Sequence, residues 1–270
     1  MNLHFRLTSA SLIYKNSRGM LGLLSICAAL LHPLAQAQGN TGTDSESRVE
    51  ISSFKGPELR SYAQMLKGLL AYQEKHALAP NSELYFILIP KNRNVKTEGV
   101  TMRLASDEKS IPIPIDASGK FQLPLLELKH DDEYDLIMNR PKGQFYIKPY
   151  VKSANLAEDT KRMGDMRLEC QVRWAIEKQD VSVVFSTYVK LMSSGNPCEA
   201  RAVAVYFFAP IGVESVSFEK SSKKQVAQVN GDGKYTLPLE DTAIHDDVLL
   251  TYVRRAIEQA KSDSQTSEPR

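Results

Sequence analysis

The sequence is poor in the residue types and motifs that build catalytic sites. Its 270 residues include one tryptophan, three cysteines and five histidines. It contains no Gly-x-Ser-x-Gly, no His-Glu-x-x-His and no Ser-x-x-Lys accompanied by its partner motifs, so no hydrolase motif is recognisable. No glycine-rich loop follows a strand pattern, which leaves nucleotide binding without support. These absences favour a non-catalytic protein that needs no cofactor.

The sequence also lacks an apolar run long enough to cross a bilayer, which takes roughly 20 residues. Its most apolar stretch, residues 20–31, follows a segment with basic and no acidic residues. It precedes Pro33 and the small-residue pattern Ala-Gln-Ala that ends at Ala37. This order predicts a secretory signal peptide over residues 1–37. We therefore expect an exported protein, periplasmic in a Gram-negative bacterium, whose mature chain has no transmembrane segment.

Neither sign of charge is in excess. Three of the 34 basic residues and none of the 32 acidic residues lie in the first 37 positions, so the mature chain has a net charge of −1. A chain this close to neutrality has no general attraction for nucleic acid or for an anionic membrane surface. The remaining composition, with 42% hydrophobic and 24% charged residues, is ordinary for a globular protein.

Two cysteines, Cys170 and Cys198, remain after removal of the signal peptide, which takes Cys27 with it. An even number of cysteines in an exported chain predicts a disulfide, and with two the pairing has one solution. The alternative is a metal-binding or nucleophilic thiol. Neither cysteine has a nearby histidine or belongs to a Cys-x-x-Cys motif, so we favour the disulfide.

Polar segments divide the mature chain. Residues 38–48 have the composition of a flexible leader, and residues 257–270 that of a disordered tail. A third polar stretch, residues 152–166, lies near the middle and is predicted to be a linker. It separates a first module, residues 49–151, from a second module with the disulfide, residues 167–256.

The two halves resemble each other. Residues 119–125 and 233–239 share five identities in seven at an offset of 114, and the flanking positions continue the match. This predicts two tandem copies of one module. We expect an α+β fold in which each copy packs one helix on a small, mainly antiparallel β-sheet. The alternative is a pair of β-sandwich modules.

Periodicity places the elements within each copy. A helix is predicted from Pro57 to the breaker at Pro80, and a second helix over residues 181–192, where β-branched residues leave a strand possible. Residues 84–89 and 202–208 are almost continuously apolar and predict central strands. The turns that end at Gly119 and Gly233 indicate β-hairpins.

The string of polar turn, Gly-Lys, aromatic residue, x and Leu-Pro resembles hairpins of transthyretin-like and carboxypeptidase-regulatory-like modules. The whole chain is similar to uncharacterised periplasmic proteins of Gram-negative bacteria that carry a signal peptide and two cysteines in the second half. Residues 170–178, around Trp174, carry this second likeness. Both resemblances imply a location outside the cytoplasm, and neither implies catalytic residues.

Two His-Asp-Asp triplets, one in each half, are the candidate metal-binding or catalytic residues. Imidazole beside carboxylates suits a divalent metal or acid–base catalysis. However, both triplets lie between predicted strands, where aspartate commonly accepts backbone hydrogen bonds in a turn. We favour turns and expect no metal. The triplets are His130, Asp131 and Asp132 in the first half, and His245, Asp246 and Asp247 in the second.

A smaller basic cluster, Lys91, Arg93 and Lys96, lies in a loop of the first half and is either solvated or part of a binding patch. The sequence as a whole favours an exported binding protein of two duplicated modules, whose partner is a protein or an envelope component. An exposed sheet edge would let an extended partner add a strand. The alternatives are a metal-assisted hydrolase that uses the His-Asp-Asp triplets and a structural or folding-accessory protein of the envelope. The oligomeric state does not follow from the sequence.

Overall fold

The computed structural model describes residues 56–128 and 133–255. The predicted signal peptide, the leader and the tail from residue 257 lie outside the described residues. Within them, no helix is long and apolar enough to cross a membrane. All described residues belong to one compact unit, Val49–Arg270.

The fold is α+β, as predicted, with short helices and small antiparallel sheets. The helices are α1 (Tyr62–Glu74), α2 (Met163–Glu177) and α3 (Val183–Ser193). The strands of the first half are β1 (Pro57–Ser61), β2 (Ser82–Pro90), β3 (Met102–Ala105), β4 (Ser110–Ile113), β5 (Lys120–Phe121), β6 (Asp135–Pro141) and β7 (Phe145–Ser153). Those of the second half are β8 (Thr160–Arg162), β9 (Tyr206–Phe208), β10 (Val213–Lys220), β11 (Lys223–Gln228), β12 (Lys234–Thr236) and β13 (Leu249–Arg254).

Each half contributes one four-stranded sheet and one smaller sheet. The four-stranded sheets have the orders β1-β6-β3-β4 and β8-β13-β10-β11, and the smaller ones are β5-β2-β7 and β9-β12. At the sequence offset of 114, the strands β3 to β6 fall on β10 to β13. The two large sheets therefore share one strand order, while duplication of an ancestral module stays a prediction.

The first helix begins later than the sequence predicts. Residues 57–61 form strand β1, which pairs antiparallel with β6, so that Ser61 lies opposite Asp135. The helical spacing that includes Leu59 was misleading, because Leu59 is on an exposed side of the strand and the buried face of α1 starts at Tyr62 and continues with Met65 and Leu69. Proline tolerates the first position of a strand, where it needs no amide hydrogen for the ladder.

The polar stretch 152–166 is folded and is not an irregular linker. It contains the end of β7, the whole of β8 and the first turn of α2. Its charged residues Lys161 and Asp165 are buried. Asp165 accepts hydrogen bonds from the Ser153 hydroxyl at 2.6 Å and from the Arg162 amide at 2.9 Å. Polar residues that are paired inside a protein look like linker residues in the sequence, which explains the wrong prediction.

Helix α2, which the sequence analysis missed, belongs to both halves of the molecule. The core of the first half takes Leu168, Val172 and Ile176 from it. The core of the second half takes Met163, Met166 and Cys170 from another side of the same helix. The two halves are therefore joined by a shared helix, and each core needs side chains from it.

Two glycines allow close backbone approach around α2. A Cβ atom on Gly164, in the first turn of α2, would lie 2.0 Å from the carbonyl oxygen of Leu78, in the 3₁₀ turn after α1. A Cβ atom on Gly68 of α1 would lie 2.5 Å from the Cδ1 atom of Ile176. At Gly164 a side chain fits only if the neighbouring backbone moves, whereas at Gly68 the side chain of Ile176 must shift.

The predicted turns are present, but they do not form two-stranded hairpins. Asp116 accepts amide hydrogen bonds from Ser118 and Lys120, and Asn230 accepts the same pair of bonds from Asp232 and Lys234. The strands on either side of each turn belong to different sheets, because β4 pairs with β3 and β5 pairs with β2. Both turns thus connect the large sheet of each half to the small one.

The second predicted helix is present as α3, capped by the Ser182 hydroxyl, which accepts from the amide of Phe185. The predicted strand 202–208 is shorter, since β9 comprises only its last three residues. The disulfide between Cys170 and Cys198 is formed, as predicted, and ties α2 to the 3₁₀ turn that follows α3.

Candidate functional site

A surface of lysine side chains on aromatic rings lies where β7, β9 and α2 meet. We define the lysine–aromatic surface by seven residues. The rings are Tyr146 and Tyr150 of β7 and Phe208 of β9, and the lysines are Lys91, Lys120, Lys148 and Lys234.

The alternation of strand β7 places the rings and the charges on one side. Phe145 and Val151 point into the core of the first half. Because successive side chains of a strand point to opposite faces, Tyr146, Lys148 and Tyr150 lie on the other face, where they are half-buried. The sequence of β7 therefore builds an apolar inner face and an outer face of tyrosine and lysine.

The lysine ammonium groups lie within cation–π distance of the rings. Lys91 and Lys148 are 4.8 Å and 5.6 Å from the centroid of the Tyr146 ring, and Lys120 is 4.6 Å from that of Tyr150. In the second half, Lys234 is 5.5 Å from the centroid of the Phe208 ring. Each such contact contributes on the order of 0.5–1 kcal/mol at an exposed position and orients a long, flexible side chain.

The two halves meet within this surface. The rings of Tyr146 and Phe208, one from each half, have centroids 5.3 Å apart. The surface therefore depends on how α2 joins the halves and is not a property of either half alone.

Helix α2 supplies a polar stripe beside the surface through Glu169, Arg173 and Glu177, which are four residues apart and share one face of the helix. Glu177 pairs with Lys148 at 2.5 Å and with Arg173 at 3.0 Å. Arg173 also donates to the carbonyl oxygen of Tyr206 at 2.7 Å. The stripe holds Lys148 in place and fastens β9 to α2.

Below the surface, Lys161 is fully buried against Glu169, with 2.6 Å between Nζ and Oε2. The ammonium group also lies 3.9 Å from the centroid of the Tyr150 ring. Burial lowers the pKa of Lys161, but the charge of Glu169 and the neighbouring tyrosine hydroxyls outweigh burial and hold this pKa above its ordinary value of 10.5. Lys161 is therefore an ion-paired, buried support for Tyr150.

The pKa values of Lys148 and Glu177 are both lowered, but for different reasons. Burial, followed by the nearby charge of Arg173, lowers the pKa of Lys148. Burial would raise the pKa of Glu177, but the charges of Arg173 and Lys148 outweigh it, and the pKa of this carboxyl is below its ordinary value. Glu177 is thus an anion paired with two cations. Because one carboxylate balances only one of them, the surface keeps an excess of positive charge.

A shallow depression of about 280 Å³ adjoins the surface at Lys91. Arg60 and Lys142 line it together with the carboxylates of Glu58 and Asp180. Arg60 lies 3.8 Å from Glu58 and 3.9 Å from Asp180, and Glu58 also accepts from the amide of Gly143 at 2.5 Å. Because these carboxylates already have partners, the depression adds little negative charge next to Lys91.

The structure gives the second predicted triplet a structural role. Asp246 pairs with Arg167, and its backbone oxygen accepts from the amide of Gly164 at 2.9 Å. Asp247 pairs with Arg162 at 2.9 Å. The triplet thereby docks its loop on the first turn of α2.

His245 of this triplet is exposed. The first triplet, His130, Asp131 and Asp132, lies outside the described residues. Among the residues that the structure describes, no group of three or more histidine, cysteine or acidic side chains is arranged to hold a metal ion.

Sequence reasoning found one member of the lysine–aromatic surface and missed the rest. Lys91 belongs to the predicted basic cluster, and the structure places it against Tyr146, while Arg93 and Lys96 are exposed. The signal for the other members was the alternation of tyrosine and lysine from Tyr146 to Lys152. Phe208 and Lys234 come from distant segments and carry no such signal.

The fold and the surface define a disulfide-bonded α+β protein whose two halves share a helix. No protein-family model, no curated protein and no solved structure matches the chain.

Proposed function

We propose that this is an exported, non-catalytic binding protein whose lysine–aromatic surface binds an anionic glycan of the cell envelope. The observation that carries the proposal is the arrangement of lysines on the rings of Tyr146, Tyr150 and Phe208. Export is itself part of the proposal and is supported by the signal-peptide pattern and the disulfide.

The charge balance of the surface favours an anionic ligand. Its four lysines are joined by Arg173. The carboxylate of Glu177 pairs with Lys148 and Arg173, and that of Asp116 lies near Lys120, so the positive charges still outnumber the negative ones. Because the ammonium groups lie over aromatic rings, they are partly ordered before a ligand arrives, which lowers the entropy cost of binding. Half-buried aromatic rings beside the charges offer apolar contact to the ring faces of sugars.

The sheet edges at the surface favour a glycan over an acidic polypeptide that would add a strand. On β7, Pro149 has no amide hydrogen and the amide of Val151 already donates to Glu169 at 3.1 Å. On β9, the carbonyl of Tyr206 already accepts from Arg173. Strand addition relies on free main-chain groups, and at these three positions the groups are occupied or missing.

The other functions considered from the sequence have less support. A metal-assisted hydrolase would need Asp246 and Asp247 free to bind an ion, whereas arginines pair with both. A passive structural or folding-accessory role gives no reason for lysines placed over the rings of Tyr146, Tyr150 and Phe208.

The test measures binding of the mature protein to polygalacturonate, a carboxylated glycan, with neutral dextran and poly-L-glutamate as comparisons. The variant Lys91→Glu/Lys120→Glu changes the surface, and Lys223→Glu/Lys224→Glu makes the same charge change on exposed β11. We expect binding of polygalacturonate that weakens with salt, and a loss of at least tenfold in affinity for the first variant alone. Tenfold corresponds to about 1.4 kcal/mol.

Three results would overturn the proposal. One is the absence of binding to polygalacturonate at low salt. Another is an equal loss of affinity in both variants, which would mean that net charge, and not this surface, controls binding. The third is tight binding of poly-L-glutamate without binding of the glycan, which would assign the surface to an acidic polypeptide.

A further inference from the structure

Helix α3 turns an apolar face away from the protein. Six apolar side chains on it are between 40% and 82% exposed, and Val189 is its one buried residue among those described. The exposed residues are Val183, Val184, Phe185, Tyr188, Leu191 and Met192.

Five of these side chains form a continuous stripe, while Val183 lies on the side of Lys190. Val184, Tyr188 and Leu191 follow the spacing of four and three residues that lines one side of an α-helix, and Phe185 and Met192 flank them. Lys190, the only charged residue of the helix, lies on the opposite side. An apolar stripe of this kind is typical of a helix that packs against another helix.

The helix is held firmly in this orientation. The hydroxyl of Ser182 caps its first turn, and the Tyr188 hydroxyl donates to the carbonyl of Ala202 at 2.9 Å. Asn196, after the helix, bonds to Gln171 and to Glu199. The disulfide at Cys198 fixes the segment that follows. The apolar stripe is thus presented by an anchored element.

We propose that the α3 stripe is a dimer interface in which it packs antiparallel against the same stripe of a second copy of this chain. The exposed fractions correspond to roughly 500 Å² of surface for the five side chains of the stripe, within the range of the largest apolar patch of a typical monomer. Two copies would bury at most about 1,000 Å², which is the minimum for a specific interface.

The charges of α3 agree with a second copy as occupant. The stripe itself carries no charge, so a two-fold arrangement brings no like charges together. An amphipathic helix that lies on an anionic membrane usually carries several basic residues on its polar face, and α3 carries one in 11 residues. The stripe therefore fits its own copy better than a membrane surface.

The experiment measures the mass of the mature chain by sedimentation equilibrium between 1 and 200 µM. The variants Leu191→Glu and Val184→Glu introduce a charge into the stripe, and Lys190→Glu is the matched control on the opposite side. Both stripe positions are about four-fifths exposed, so the variants lose no buried contact and are expected to keep the wild-type melting temperature.

We expect a monomer–dimer equilibrium for the wild-type chain and for Lys190→Glu, and at least a tenfold weaker dimer for both stripe variants. A wild-type chain that stays monomeric at 200 µM overturns the proposal. A dimer that both stripe variants leave intact overturns it as well. A monomer that binds vesicles of phosphatidylethanolamine and phosphatidylglycerol, and loses this binding in Leu191→Glu, would assign the stripe to a membrane instead.

Discussion

Replacement of Gly164 by alanine tests the close approach between α2 and the 3₁₀ turn that follows α1. The added Cβ atom would lie 2.0 Å from the carbonyl oxygen of Leu78 and 3.0 Å from the Cβ atom of Asp246. The nearer atom belongs to the backbone of a 3₁₀ turn, so no side-chain rotation relieves the overlap. The turn, or the whole of α2, must move.

The expected cost follows from two opposing effects. Overpacking of this kind costs about 1–3 kcal/mol, and a backbone neighbour places Gly164→Ala toward the upper end. Alanine in place of glycine within a helix returns roughly 0.5–1 kcal/mol. We therefore expect a net loss of about 2 kcal/mol, or about 4–8 °C in melting temperature for a chain of this size.

The assay is urea denaturation of the mature, disulfide-bonded protein, followed by far-ultraviolet circular dichroism. Gly231→Ala is the matched control, because a Cβ atom there would have nothing within 4 Å and the backbone has no positive φ angle. We expect a lower midpoint for Gly164→Ala at an unchanged slope, and a control within about 0.5 kcal/mol of wild type. If the two variants have the same stability, the contact between α2 and Leu78 does not exist as described.

Three further predictions concern the disulfide and the buried charges. The variant Cys170→Ser/Cys198→Ser should have a free energy of unfolding about 3–4 kcal/mol lower than wild type, because the disulfide closes a loop across a separation of 28 residues. An unchanged urea midpoint would contradict this. Lys161→Met should cost about 3–5 kcal/mol in the same assay by leaving Glu169 without its buried partner, and Lys161→Met/Glu169→Leu should recover part of the loss. Stability should fall as pH rises above about 10, because burial raises the pKa of Tyr235 and Tyr252 and Lys161 also has a raised pKa. In that range the unfolded chain releases protons that the folded chain retains, and a flat free energy of unfolding between pH 9 and pH 11 would count against these shifts.

Local signals in the sequence were reliable where one segment determines its own structure. The turns at Asp116 and Asn230 depend on side-chain oxygens that accept amides two and four residues further on, so a few residues suffice to predict them. The apolar run of β2 was recognised for the same reason, and the disulfide followed from counting cysteines.

Features that depend on distant partners were missed. The apolar residues of α2 are distributed over two faces, because one faces each core, and this blurs the single stripe that identifies a helix. Lys161 and Asp165 made the preceding segment look solvated, although Glu169 and Ser153 satisfy them inside the protein. The lysine–aromatic surface combines both effects, since Tyr146 and Phe208 meet only after α2 has brought the halves together.

The shared helix also limits how this protein can be divided or changed. A fragment that ends before Met163 loses three side chains of its own core, and a fragment that begins after Glu177 loses three of the other. We therefore expect neither half to be a separable domain that could be exchanged between proteins. Substitutions at α2 must satisfy two sets of neighbours at once, so we expect this helix to tolerate fewer changes than any sheet in the molecule.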